Sequence, residues 1–300
     1  MALIQITTAT ELASLRLQWR SEGRSLGLVP TMGNLHAGHL SLVQEAKSQC
    51  AAVLATIFVN PLQFGPNEDF GRYPRTLDAD LQALSAAGCD AVFTPTVATL
   101  YPAGLEQHTL ISVPRLSALY CGRSRPGHFD GVCTVVNSLF NMTQPDAAFF
   151  GLKDYQQFFL LRKMVADLHM PVRLIGAPTV REASGLALSS RNGYLSPAQK
   201  QQAAALYRTL TAAAGELCAG ADDYAALCRR AEQALREAGF VPDYVEIASQ
   251  QSLLPAAPEE RSLVLLAAAW LDKTRLIDNV LVERRGGLPQ AAGIWDNPAP

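Results

Sequence analysis

An excess of charge of either sign is missing from this 300-residue sequence: its formal net charge is −2, and no run of Lys or Arg interrupts it. With aromatics at only 7%, it also lacks the basic and stacking footprint of a nucleic-acid binder, which counts against a tRNA- or RNA-binding role. Long apolar runs are missing too. No segment reaches the length that crosses a bilayer, and Met1-Ala-Leu-Ile-Gln-Ile is not a basic stretch leading into an apolar one, so the expected compartment is the cytoplasm, with no membrane partner. The six cysteines (50, 89, 121, 133, 218 and 228) contain no Cys-x-x-Cys pair, and a chain of this size needs no disulfides. They are expected mostly as reduced core residues, including Cys121 despite Arg123 and Arg125 nearby. No internal repeat and no dedicated metal cage is visible. What is abundant is core: 49% hydrophobic content suffices for one large or two ordinary domains.

The organising stretch is 28–40, Leu-Val-Pro-Thr-Met-Gly-Asn-Leu-His-Ala-Gly-His-Leu. An apolar run at 26–29 predicts a buried strand, Gly33 and Gly38 permit a tight turn, and 40–50 has helix composition. Backbone N–H groups at such a helix start lack intrahelical acceptors, so the turn is a natural seat for phosphate. If the helix begins near His36, the three-residue spacing puts His36 and His39 on one face, where both can donate to the same phosphate oxygens. A zinc site is poorly supported, because Glu45 is the nearest carboxylate.

Pro30-Thr-Met-Gly-Asn-Leu-His-Ala-Gly-His39 resembles the histidine motif of the Rossmann-like nucleotidylyltransferases, and specifically that of the pantothenate synthetase family. Further blocks resemble the same family over roughly 3–283. Phe58-Val-Asn-Pro-Leu-Gln-Phe-Gly65 follows a predicted strand at 52–59; its bland reading is an ordinary turn, but the resemblance assigns pantoate contact to Gln63, with Asn60 as a weaker neighbour. Arg72-Tyr-Pro-Arg75 precedes a helix capped by Thr76, in which Asp78 and Asp80 have a structural explanation in the first turn. Strands are expected at 91–94 and 110–113. Gly122-Arg-Ser-Arg-Pro-Gly-His-Phe-Asp-Gly131 reads either as a solvated basic loop or as an anion-binding lid with Arg125 and His128 near substrate, ahead of an apolar helix at 132–142.

A strand at 147–150 leads into Gly151-Leu-Lys-Asp-Tyr-Gln-Gln157 and a helix to about 168. Lys153 offers a mobile cation, and Asp154 either caps the helix, the favoured reading, or serves Mg²⁺. Leu152 stands where the family usually has Glu. After a strand at 172–175, Val180-Arg-Glu-Ala-Ser-Gly-Leu-Ala-Leu-Ser-Ser-Arg-Asn192 resembles the family's second nucleotide motif, with Ser184 and Leu188 departing from the usual Asp and Met. Ser196-Pro-Ala-Gln199 is a capping box that starts a new helical region. A helix at 222–238 and strands at 244–248, 262–268 and 274–282 follow, and Lys273-Thr-Arg-Leu-Ile-Asp-Asn279 resembles the family's C-terminal block.

The expected fold is α/β: a Rossmann-like parallel-sheet domain binding ATP and pantoate (1–182), a smaller C-terminal α+β lid domain (183–285) and a flexible tail (286–300). The resemblance implies ATP-dependent ligation of (R)-pantoate and β-alanine to pantothenate through a pantoyl adenylate, releasing AMP and pyrophosphate. It implies catalytic roles for His39, as proton donor, and for His36, Lys153, Ser189, Ser190 and Arg191. ATP would meet Met32, Gly33, Asn34, Leu35, His36, Ala37, Gly38 and His39, then Gly151, Leu152, Lys153 and Asp154, then Val180, Leu188, Ser189, Ser190 and Arg191. Pantoate would meet Gln63 and Gln157, with Asn60 and Arg125 secondary. Mg²⁺ would accompany ATP without a protein cage, and the chain is expected as a homodimer. The rival readings are a nucleotidylyltransferase with another acceptor and a noncatalytic nucleotide binder.

Overall fold

The computed structural model describes residues 2–66, 68–284 and the backbone of 295–297. The chain runs through β1 (Ile4–Ile6), α1 (Ala9–Ser21), β2 (Leu26–Thr31), α2 (Ala37–Gln49), β3 (Ala52–Ile57), α3 (Leu77–Ala86) and β4 (Ala91–Phe93). Short helices α4 (Val97–Leu100) and α5 (Cys121–Ser124) lead to α6 (His128–Thr143), β5 (Ala147–Gly151), α7 (Tyr155–Asp167) and β6 (Arg173–Ala177). These six strands form one parallel sheet in the order β1-β4-β3-β2-β5-β6. Its central strands β2, β3 and β5 are largely apolar because both faces are covered. Leu28 and Leu54 pack with α1, α6 and α7, while Val29, Val53 and Ala55 pack with α2 and α3. Strand order reverses at β2, with β3 and β4 on one side and β5 and β6 on the other. Ligands of open α/β sheets bind outside the carboxyl ends of the strands at such a reversal. The segments leaving β2 and β5 there are the histidine turn and the Lys153 turn.

The second region opens with α8 (Pro197–Ala203), whose N-cap Ser196 makes the expected capping box with Gln199. α9 (Ala205–Cys218) and α10 (Tyr224–Glu237) then cover one face of an antiparallel sheet of β7 (Val241–Ser249), β8 (Ser262–Leu271) and β9 (Thr274–Glu283). The other face joins the first core through Tyr244, Val264, Leu266 and Ala268.

Several local expectations are corrected. Residues 110–113 form no strand; the Ile111 N–H donates instead to Thr134 Oγ1 at 2.9 Å. α1 is capped by Thr8, boxed with Glu11, instead of by Thr10. The stretch 122–131 is partly helical, with α6 starting at His128. The tail is not wholly loose: β10 (Trp295–Asn297) pairs antiparallel with β6, whose outer edge offers unpaired main-chain groups. The remainder of 286–300 lies outside the described residues. All six cysteines are free thiols; Cys89, Cys121 and Cys133 are buried. Among the described residues, no helix is long and apolar enough to cross a membrane.

Candidate active site

The turn after β2 is shaped by a residue whose role sequence reasoning missed. Asp80, on α3 and only 3% exposed, accepts from the N–H groups of Asn34 (2.9 Å) and Leu35 (2.8 Å) and from the Thr76 hydroxyl (3.2 Å). Gly33 turns with φ +82°, and a Cβ there would lie 3.0 Å from Asp80 Oδ2. His36 is the N-cap of α2: its Nδ1 accepts from the Gly38 N–H at 3.1 Å, while its own N–H donates to His39 Nδ1 at 3.3 Å. The two rings lie together, with centroids 4.1 Å apart. The expectation of a backbone phosphate nest needs correction, because the amides of Gly33, Asn34, Leu35, His36 and Gly38 are used in shaping the turn itself. Since both Nδ1 atoms accept, each neutral ring carries its proton on Nε2, and those two N–H groups become the donors available to a ligand.

Burial lowers His36 to about 4, helped by Lys153, and lowers His39 to about 3, helped by His36 and Lys153. Both rings are neutral at pH 7. His39 can thus offer a hydrogen bond, whereas outright proton transfer requires a prior protonation that burial opposes.

Behind Gln63 lies a buried polar network. Asn60, 1% exposed, donates to Gln63 Oε1 (3.2 Å) and to the Gly131 carbonyl (3.0 Å), and accepts from Tyr101 Oη (2.7 Å) and the Leu62 N–H (3.3 Å). With its amide thus occupied, Asn60 supports Gln63 from behind while it also lines the cleft. Gly131 permits this approach, since a Cβ there would lie 2.3 Å from the Leu62 carbonyl oxygen. His128 Nδ1–H donates to the Gln63 carbonyl at 2.7 Å, and its Nε2 accepts from Arg125 at 2.9 Å. Burial, with Arg125 beside it, lowers His128 to about 3.

Three histidines held neutral by the fold predict an acid weakness. An unfolded histidine titrates near 6.5, so between about pH 6.5 and 4 the unfolded chain binds protons that the folded chain does not, and stability falls as pH falls through that window. His39 and His128 each contribute up to about 1.4 kcal/mol per pH unit, while the partly exposed His36 contributes less. Urea midpoints should drop across this window, and His128→Gln should flatten the slope by about one proton; a wild-type slope in that variant would contradict the account.

On the other side of the reversal, the turn after β5 holds Lys153 with Nζ 3.8 Å from Asp154 Oδ1. Asp154 occupies the N-cap position of α7 but makes no side-chain cap, so the favoured capping reading is corrected and its carboxylate faces the cleft. Leu152 is 1% exposed and packs over Gly176, which accommodates an apolar group where the family usually has Glu. Asn279 on β9 donates to the carbonyls of Leu152 (2.8 Å) and Lys153 (2.9 Å).

The last block folds back on itself. Glu182 and Leu188 N–H groups donate to the Leu186 and Val180 carbonyls, which already occupies the Val180 carbonyl. Ser189 Oγ accepts from the Arg191 N–H (3.3 Å). Ser190 Oγ donates to the Asn34 carbonyl (3.1 Å) and the Asn34 amide donates to the Ser190 carbonyl (3.2 Å), binding the two nucleotide-like blocks together. Arg191 makes two hydrogen bonds to Asp69 (3.1 and 3.0 Å), as Arg125 does to Glu68 (2.7 and 2.6 Å). Burial raises the Asp69 carboxyl, but Arg191 more than offsets it and leaves it below the usual range.

These segments line a cavity of about 230 Å³. Met32, His36, Gly38, His39, Asn60, Gln63, Arg125, Gly151, Lys153, Asp154, Gln157, Val180, Leu188, Ser189, Ser190 and Arg191 are in its wall. Gly33, Asn34, Leu35, Ala37 and Leu152 are outside that lining. An adjoining cavity of about 660 Å³ shares Arg125, Lys153, Asp154, Ser189 and Arg191 and reaches Asp278 on β9. Small-molecule sites typically span ~300–1,000 Å³. Among the described residues no cluster of three metal-ligating side chains occurs.

Comparison with known proteins agrees with this geometry. A pantoate-beta-alanine ligase family model matches residues 4–281. The pantothenate synthetase of Chromohalobacter salexigens is 59% identical over 88% of this chain and 93% of its own, and that of Hahella chejuensis is 54% identical over 93% and 99%. The crystal structure of the Thermus thermophilus pantothenate synthetase superposes with a TM-score of 0.86 at 45% identity, covering 93% of this chain and 99% of that one. The Francisella tularensis pantoate-beta-alanine ligase, complexed with beta-gamma ATP and beta-alanine, superposes with a TM-score of 0.78 at 33% identity, covering 93% and 98%. With its strand reversal, paired histidines and adjoining serine-arginine block, the chain belongs to the pantoate-beta-alanine ligase family.

Proposed function

We propose that this cleft activates (R)-pantoate with ATP as a pantoyl adenylate and then passes the acyl group to β-alanine. The supporting observation is the reciprocal Asn34–Ser190 pairing, which brings the histidine turn and the Ser189-Ser190-Arg191 block around one cavity with Lys153. The ATP complex of the Francisella relative supports the same reading. A carboxylate resists amines because its carbon is electron-rich and its oxygen leaves poorly. In the first step a pantoate carboxylate oxygen attacks the α-phosphorus and pyrophosphate leaves. Charge growing on the phosphate oxygens is met by His36 and His39 Nε2–H, whose tautomers are set beforehand, and by Lys153, Ser189, Ser190 and Arg191, of which Ser190 first gives up its bond to the Asn34 carbonyl and Arg191 its hold on Asp69. Arg125 and Arg191 must share or exchange their carboxylates to engage a ligand. In the second step the β-alanine nitrogen attacks the acyl carbon, the C–O bond to phosphate breaks, and AMP leaves with that oxygen. Holding both reactants in the cleft supplies much of the gain.

Mg²⁺ fits the donor set: Asp154 is an uncapping carboxylate in the wall, and magnesium on phosphates needs only one or two protein carboxylates. Asp154 would hold it, and the ion would neutralise phosphate charge. Residues 183–285 are read as a lid over the ATP- and pantoate-binding region 1–182. The family resemblance further implies a cytoplasmic homodimer, which sedimentation of the purified chain and fractionation of the source cell test.

Gln63, held by Asn60 from behind, and Gln157, in the first turn of α7, are the pantoate contacts of this reading. Gln63→Ala should raise the apparent constants for pantoate and β-alanine well before that for ATP; unchanged constants for both acids would remove Gln63 from the role. The reading as a whole is tested by pyrophosphate release from Mg-ATP. Release that requires pantoate, with pantothenate formed only when β-alanine is added, is expected. ATP binding without release would favour another acceptor or a noncatalytic binder.

A further inference from the structure

β9 is the edge strand of the C-terminal sheet, and successive residues on a strand face opposite ways. Leu276, Val280 and Val282 pack toward α9 and α10, whereas Ile277 and Leu281 pack toward the first core. Two polar residues interrupt this apolar alternation. Asp278, 4% exposed, accepts from both terminal nitrogens of Arg181 (2.6 and 2.8 Å) and from the Asn279 N–H (2.8 Å). Arg181 also lies over the Tyr207 ring at 3.5 Å, so this point of β9 is pinned from the helical side. Asn279, 7% exposed on the opposite face, turns both hydrogens of its amide onto consecutive carbonyls, those of Leu152 and Lys153.

A side chain that satisfies two consecutive carbonyls fixes the orientation of the peptide between them, and that peptide carries Lys153. Lys153 Nζ lies 3.8 Å from Asp154 Oδ1, so that ion pair constrains it weakly. We propose that Asn279 is a positioning residue for Lys153: from the second sheet it holds the Leu152-Lys153 backbone so that the ammonium enters the cleft opposite the histidine pair. It touches no reacting atom. Misplacing a charged group by about 1 Å is enough to slow a reaction by on the order of 10²-fold.

The inference rests on the adenylation reading, and its test separates the two. Asn279→Ala, Asn279→Ser, Lys153→Ala and the Lys153→Ala/Asn279→Ala double variant are compared in the full chain. The readouts are single-turnover pyrophosphate release with pantoate, ATP binding by titration, and cooperative thermal unfolding. Asn279→Ala should slow release by about tenfold to a hundredfold, and Asn279→Ser, which keeps one donor, should fall between it and wild type. In the Lys153→Ala background the same change should matter less than about twofold, because the two residues act as a unit. An equal factor in both backgrounds, a wild-type rate in Asn279→Ala, or loss of cooperative unfolding in both Asn279 variants would overturn the proposal. If wild type itself releases no pyrophosphate, the adenylation reading fails; ATP affinity then carries the test of Asn279, with the same dependence on Lys153 expected and its absence overturning the proposal.

Discussion

Lys153→Ala is expected to lower pantoate-dependent pyrophosphate release by about 10²-fold or more while the chain still unfolds cooperatively. The reason lies in how the other cations of the cleft are occupied. Arg125 and Arg191 are each held by two close hydrogen bonds to Glu68 and Asp69, whereas Lys153 faces Asp154 at 3.8 Å, beyond hydrogen-bonding distance. Lys153 can therefore turn its charge to a phosphate without surrendering a tight partner. Its loss also removes one of the influences that keep His36 and His39 neutral, although burial, the larger cause, remains. Lys153→Arg keeps the charge but replaces a compact ammonium with a planar fork, so partial activity is expected. A well-folded Lys153→Ala chain with normal single-turnover release would take this residue out of the mechanism.

His39→Ala should be comparably severe, about 10²- to 10³-fold in adenylation, and should also reduce stability. The ring does two separable things. Its Nδ1 accepts the His36 N–H, and leaving that part-buried donor without a partner costs about 1 kcal/mol, the low end of the penalty for a fully buried one. Its Nε2–H is the donor left for a phosphate oxygen. His39→Asn can restore an acceptor near Nδ1 and should recover stability more than rate, whereas His39→Gln can place a donor near Nε2 and should recover rate more than stability. Urea unfolding and single-turnover release, measured on the same variants, separate these effects. Parallel recovery of both properties in both variants would mean that the ring has one role, not two.

The parts of the site legible in the sequence are those fixed by local chemistry. Glycine beside a strand end, with two histidines three apart, predicts the turn, the helix start and the meeting of the rings. Asp80 was hidden because acids in a first helical turn already have an electrostatic explanation. A signal was nonetheless present: Asp80 lies one turn before Leu84 on the inward side of α3, where both are buried and a carboxylate needs partners. Asp278 and Asn279 carried a similar signal as polar interruptions in an apolar strand. Glu68 and Asp69 carried none, since the path of a Pro- and Gly-punctuated loop is not set by periodicity. The absent strand at 110–113 shows the opposite failure: four residues suited to a strand found no neighbouring edge and used a threonine hydroxyl instead. The pairing of β10 depends on a free edge at β6, which local sequence does not reveal.

The central claim is that the pantoate carboxylate becomes bonded to the α-phosphate before the amide forms. Pantoate labelled with ¹⁸O in its carboxylate, turned over with ATP and β-alanine, tests this directly by mass spectrometry of the products. The account predicts one ¹⁸O in AMP, one retained in the pantothenate amide carbonyl, and none in pyrophosphate. Label in orthophosphate alongside ADP, or AMP free of label, would contradict it.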